Sequence, residues 1–164
     1  MRAASLQAEH LAAVFFDFAA AFPSLAHDFL SDVLEHLQLP RQFRAFVANL
    51  YLGNGCRIAA AGDNHDGFSI RSGIRQGWPL TTLLFAVCGD LLLRRLQQLL
   101  PGDLCRAYAD DIGLVAKDLF ASAEVFVKVF EEFAEISGLT LNLVKTVFVP
   151  LGDASVEVFR RELE

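Results

Sequence analysis

The chain has 164 residues, 54% of them hydrophobic, and its 20 acidic against 14 basic side chains give a formal net charge of −6. That is the size of one ordinary domain with a sizeable core, and every apolar stretch is broken by a charge before the roughly 20 residues that a membrane span needs. The acidic balance argues against a complete nucleic-acid enzyme, because such enzymes carry a basic patch that neutralises phosphates, and the basic residues here are scattered.

In chain order, Leu11 to Phe18 is a short apolar run rich in Phe and Val, long enough for one buried strand. A helix follows. Ser24 can cap it, and Ala26, Phe29, Leu30, Val33, Leu34 and Leu37 recur at helical spacing until Pro40 stops it. A second helix runs from Gln42 to Leu52 and closes at Gly53, Asn54 and Gly55. The period then changes, and CRIAAAG and GFSIRSGI read as two strands around the turn-rich GDNHDG. Pro79 suits the first turn of a long helix that continues to Leu100 and is ended by Pro101 and Gly102. LCRAYA and IGLVAK are short strands separated only by Asp110 and Asp111, a spacing that demands a tight hairpin. A helix from Leu119 to Ile136 buries Phe126, Val129, Phe130 and Phe133 before Gly138 ends it, and Thr146 to Val149 forms the last strand. Without repeats or linker-like stretches, residues 1–164 read as a single domain. The order of elements predicts an α+β, ferredoxin-like antiparallel sheet with helices packed on one face.

Three aspartates stand out. Asp17 lies inside VFFDF, where a buried carboxylate is costly unless something compensates it. Asp110 and Asp111 are adjacent carboxylates between two apolar strands, with Arg106 and Lys117 the nearest basic residues in sequence. Simple turn residues would account for that pair. A divalent cation would account for all three if the first strand lies beside the hairpin, since three hard oxygen ligands with open positions suit Mg²⁺. Two such ions about 3.5–4 Å apart can activate a 3′-hydroxyl and stabilise a departing pyrophosphate. Other groupings are weaker. GDNHDG lacks the ligand alternation and distal Glu of a calcium loop and reads as a turn. His10, His27 and His36 have no partners at metal-ligand or triad spacing, and Cys56, Cys88 and Cys105 read as reduced core residues. The first ten residues, MRAASLQAEH, lack a signal-peptide cleavage site, so secretion is not indicated and an intracellular protein is expected.

The run FFDFAAAFPSL resembles the first catalytic motif of reverse transcriptases, RQGWPLTTLLF the second, YADD the third and SGLTLNLVKT the fourth, all in the family's order. The second and fourth are worded most like the non-LTR retrotransposon enzymes, with group II intron enzymes next. The resemblance covers Val14 to Gly152 and implies the palm of an RNA-directed DNA polymerase. It implies two Mg²⁺ ions, an RNA template with a DNA primer, and deoxynucleoside triphosphates as substrates. By the same resemblance Asp17, Asp110 and the backbone carbonyl of Phe18 ligate the metals, and Asp111 completes the acidic cluster. Phe22 matches the aromatic beneath the incoming sugar, or else is a core Phe. Gln76 and Gly77 match the turn that lines the nucleotide pocket, with helix capping the plainer reading of Gln76. Lys145 matches a lysine that donates a proton to pyrophosphate, or else is a solvated surface residue.

There are departures. Ala20 and Pro23 stand where these enzymes often have Lys and Asp, and Trp78 replaces a small residue. Only 16 residues precede Asp17, so the basic fingers and the thumb are expected to belong to a longer polymerase, and their positive charge with them. Two functions follow: a polymerase palm fragment, or a catalytically silent retroelement remnant serving as a binding module. An RNA-templated RNA polymerase is disfavoured, because Phe22 would obstruct a ribose.

Overall fold

A computed structural model describes residues 10–151. Strand β1 (Ala12–Phe16) leads into a single-turn helix α1 (Ala21–Ser24) and then into helices α2 (His27–His36) and α3 (Arg41–Tyr51). Next come a hairpin of β2 (Gly55–Ala60) and β3 (Asp63–Ser69), and the long helix α4 (Pro79–Leu99). A second hairpin of β4 (Leu104–Tyr108) and β5 (Asp111–Ala116), helix α5 (Leu119–Ser137) and strand β6 (Val147–Pro150) complete the order.

Four strands make one sheet in the order β4-β5-β1-β6, every neighbouring pair antiparallel. Setting the β2–β3 hairpin aside, this is the ferredoxin-like βαββαβ arrangement that the order of elements implied. The pleat decides which side is covered. Ala12, Val14 and Phe16 of β1 and Ile112, Leu114 and Ala116 of β5 are buried together on one face. There the Phe16 ring meets Phe126 and Phe130 of α5 at centroid distances of 5.4 and 4.7 Å. Burying a ring of this size contributes roughly 1.5–3 kcal/mol. Phe15, Leu104, Tyr108, Val147 and Val149 remain exposed. Alternate residues of paired strands point the same way, so these side chains belong to the opposite, open face.

Helix α5 forms as its periodicity predicts. Phe126, Val129, Phe130 and Phe133 are buried on one stripe, and Asp118 caps the start by accepting from the amides of Phe120 and Ala121. Gly138, at φ 76°, closes the end. The end is also docked: a Cβ at Gly138 would stand 2.5 Å from the Ser24 carbonyl oxygen, and Ala26 N–H donates to Ser137 O at 2.8 Å.

Three expectations need correction. Ser24 does not cap the helix that follows it. It ends α1, its hydroxyl turned to Ala19 O, and α2 begins after Ala26 without a side-chain cap. Backbone from distant segments takes over, with His27 N–H donating to Arg71 O at 3.1 Å. The first hairpin turns at Ala61 and Gly62 alone, both at positive φ, the requirement of a two-residue hairpin loop. Asp63, Asn64, His65 and Asp66 therefore pair within β3, at no burial cost because the strand is exposed throughout. The chain leaves β3 after Ser69, and Ser72 bridges to Ala26 instead. Lastly, Asp111 is not a turn residue. It opens β5 opposite Tyr108, leaving Ala109 and Asp110 as the turn.

Cys88 and Cys105 are buried free thiols, pushed up to about 12 and about 11 by burial, while Cys56 is only half-buried in β2. Urea unfolding of two glycine variants will separate backbone strain from collision. Gly62→Ala, strained but in open space, is expected to cost about 1–2 kcal/mol. Gly138→Ala adds a backbone collision and is expected to cost roughly twice as much.

Candidate active site

Strand β1 delivers Asp17 to the open face. Phe16 pairs with Ile112, and one further step of that antiparallel register sets Asp17 opposite Asp111. The backbone stays held past the strand: Asp17 O accepts from Asn142 N–H at 2.8 Å, Phe18 bridges Leu141, and Ala19 N–H donates to Thr140 O at 2.9 Å. A tight turn follows, in which the amides of Lys145 and Thr146 both donate to Asn142 O at 3.1 Å. It brings Lys145 Nζ to 3.4 Å from Asp17 Oδ2. That oxygen is buried and has no hydrogen-bond partner among the described residues, the ammonium standing at ion-pair distance only. The compensation that VFFDF demanded is thus a pleat that turns the carboxylate off the core, plus a lysine.

Asp17, Asp111, Lys145, Arg106, Tyr108 and Phe15 line one cleft of about 540 Å³. Arg106 directs its guanidinium to the adjacent Cys105 carbonyl at 2.8 Å. Asp110 sits half-buried in the turn and is not among the cleft's lining, so two of the three aspartates share the cleft and the third does not. Among the described residues, no three carboxylate, His or Cys side chains stand close enough to hold a metal ion. The donors nonetheless fit a hard cation: a buried carboxylate oxygen without a hydrogen bond, a second carboxylate on the same cleft, and a lysine ammonium standing in as the cation.

The residues assigned to the nucleotide lie on an adjoining pair of segments. Phe22 is half-buried and stacked on Phe85 of α4, with ring centroids 4.9 Å apart. Its carbonyl accepts from Ile74 N–H at 2.8 Å, and Gly73 N–H donates to Leu25 O at 2.8 Å. Contact is so close that a Cβ at Gly73 would stand 2.9 Å from Pro23 O. Gln76 and Gly77 form the exposed turn that follows, with Gly77 at φ 88° and Pro79 in the first turn of α4. Neither they nor Phe22 lines the cleft around Asp17. His27, which has no partner at metal-ligand or triad spacing in the sequence, finds its partners far along the chain. Its Nε2 is 2.7 Å from Gly73 O and its ring stacks on Tyr51 at 4.7 Å, partners that no local spacing announces. Burial raises the Tyr51 hydroxyl above its ordinary range, against lowering by Arg75 and Thr81. A separate cleft of about 960 Å³ lies between α2, α3 and the first hairpin, and contains none of the assigned residues.

A ferredoxin-like antiparallel sheet with one covered face, carrying carboxylates from its first strand and its central hairpin on the open side, is the arrangement of a polymerase palm. The chain belongs to the reverse transcriptase (RNA-dependent DNA polymerase) family, whose model matches residues 1–156. It is 32% identical over 135 residues to the Pol polyprotein of the type-2 retrotransposable element R2DM of Drosophila melanogaster, a match covering 79% of this chain and 13% of that protein. It is 31% identical over 107 residues to the R2 Pol polyprotein of Nasonia vitripennis, covering 62% of this chain and 10% of that one. The chain therefore spans only about an eighth or less of these relatives. Among solved structures, telomerase from Candida tropicalis with a fragment of telomeric RNA aligns at a TM-score of 0.69 and 16% identity, covering 88% of this chain and 26% of that one. Telomerase from Candida albicans aligns at 0.63, also at 16% identity, covering 89% and 28%. These two likenesses are of fold.

The Phe22–Phe85 stack can be tested by chemical denaturation. Phe85→Ala, at a fully buried position, is expected to cost about 3–5 kcal/mol. Phe22→Ala is expected to cost clearly less, because its ring is already half in water; equal losses would contradict this burial difference.

Proposed function

We propose that this chain is the catalytic palm of an RNA-directed DNA polymerase of the non-LTR retrotransposon type, extending a DNA primer on an RNA template with deoxynucleoside triphosphates. The observation that carries the reading is Asp17 and Asp111 on one cleft of the open sheet face, in a chain of this family. Asp17, Asp111, the carbonyl of Phe18 and, from the turn, Asp110 would hold two Mg²⁺ ions. When bound, such ions activate a primer 3′-hydroxyl and neutralise a departing pyrophosphate. Phe22, backed by Phe85, limits the room beneath the sugar and so excludes a 2′-hydroxyl. Gln76 and Gly77 border the base and triphosphate, and Lys145 can give a proton to the leaving group. Fingers and thumb segments of a longer polymerase supply the phosphate contacts that a palm of net charge −6 lacks. That same charge favours a second reading, a catalytically silent remnant retained as an interaction module.

Primer extension on an RNA template with Mg²⁺ decides between them. The chain alone is expected to be nearly inactive, and the chain carrying its upstream sequence active. Asp17→Ala or Asp110→Ala should lower that activity by roughly a thousandfold, the several kcal/mol that metal-held charge stabilisation supplies. No synthesis by either form favours the remnant; synthesis indifferent to both aspartates sinks the metal assignment. In the active form, Phe22→Ala is expected to improve ribonucleotide use about 10- to 100-fold relative to deoxynucleotide, the discrimination available from one steric contact.

A further inference from the structure

Asp17 already has a cation beside it, in a chain read above as a metal-dependent polymerase. Lys145 Nζ stands 3.4 Å from Oδ2, the one carboxylate oxygen there that is buried and without a hydrogen bond. A lysine with a side chain 67% exposed ordinarily keeps its ammonium in water, since fixing a long side chain costs rotamer entropy. Here the backbone does much of the placing. The turn that carries Lys145 folds on Asn142 O, and Asn142 N–H is bonded to the carbonyl of Asp17 itself. Arg106, the other cation on the cleft, is turned to the Cys105 carbonyl and makes no ion pair with Asp17 among the described residues.

We infer that Lys145 is an internal counter-ion that occupies the divalent-cation position on Asp17 and must be displaced before metal binds, so that this lysine sets the metal affinity of the palm. The inference rests on Asp17 being a metal ligand. An ammonium and a divalent ion cannot share one carboxylate oxygen without strong repulsion. The doubly charged ion wins, but only after breaking the ion pair of a lysine whose head is already largely in water, a modest cost that is subtracted from the metal affinity. Displacement also frees the ammonium to face a triphosphate, in keeping with its proposed second role.

The test is direct binding of Mn²⁺ to the 164-residue chain after chelator treatment, read from the electron paramagnetic resonance of the free ion. Lys145→Met is expected to bind Mn²⁺ about three- to tenfold more tightly than the parent. Asp17→Asn should lose that binding. Lys128→Met, an exposed lysine on α5 that makes the same change in net charge, should leave it unaltered. In chelator, Lys145→Met should melt below the parent, and saturating Mn²⁺ should close the gap. Equal or weaker Mn²⁺ binding by Lys145→Met, or the same gain in Lys128→Met, overturns the inference while leaving the metal site standing. Absence of Asp17-dependent binding from both parent and Lys145→Met overturns the metal site, and the inference with it.

Discussion

The pairing of β1 with β5 is the constraint on which the rest of the molecule depends. Its register aligns Ala12, Val14 and Phe16 with Ala116, Leu114 and Ile112 in one buried layer. A slip of one residue would exchange the faces, sending Phe15 and Asp17 into the core and three apolar side chains into water. The penalty for burying a carboxylate and the gain from burying the apolar set act in the same direction. The chemistry of the site and the stability of the sheet therefore enforce a single register.

A second set of contacts keeps the segments that carry Phe22 and the Gln76–Gly77 turn from moving independently. The chain after Asp17 and the chain before α4 lie side by side through Ile74 to Phe22, Gly73 to Leu25 and the bridge of Ala26 with Ser72. His27 and the end of α5 close this layer, one through Gly73 O and the other through the contact of Gly138 with Ser24. A backbone approach of this kind leaves no room for a Cβ at Gly73 or Gly138. Both glycines are thereby tied to the positions of Phe22 and of the Gln76–Gly77 turn.

Charge is distributed to suit a palm. The open face combines exposed apolar side chains with an acidic edge, and among the described residues only Arg106 and Lys145 supply positive charge on the cleft. Phosphate binding by such a surface needs cations from elsewhere, either metal ions or basic segments of a larger protein. A chain that spans about an eighth of its R2 relatives is compatible with both.

Local pattern was enough for the elements themselves. Period-2 and period-3.6 runs located β1, α2 to α5 and the second hairpin, because each buries one stripe, while the exposed first hairpin was marked by its turn-rich sequence. The wording around Asp17, Gln76 and the YADD turn was enough for the family. Where local pattern failed, long-range backbone contacts had replaced a local device: Arg71 O serves the first turn of α2 in place of a Ser24 cap, and an exposed hairpin admits Asp63 to Asp66 as strand residues. Which aspartates meet was likewise beyond the sequence. Asp17 and Asp111 share a cleft because their strands are neighbours on one pleat, whereas Asp110 falls in a two-residue turn. Only the tertiary structure could place Lys145 against Asp17 and His27 against Gly73. Both contacts join residues far apart in the chain, and distance in space between such residues is decided by packing rather than by spacing.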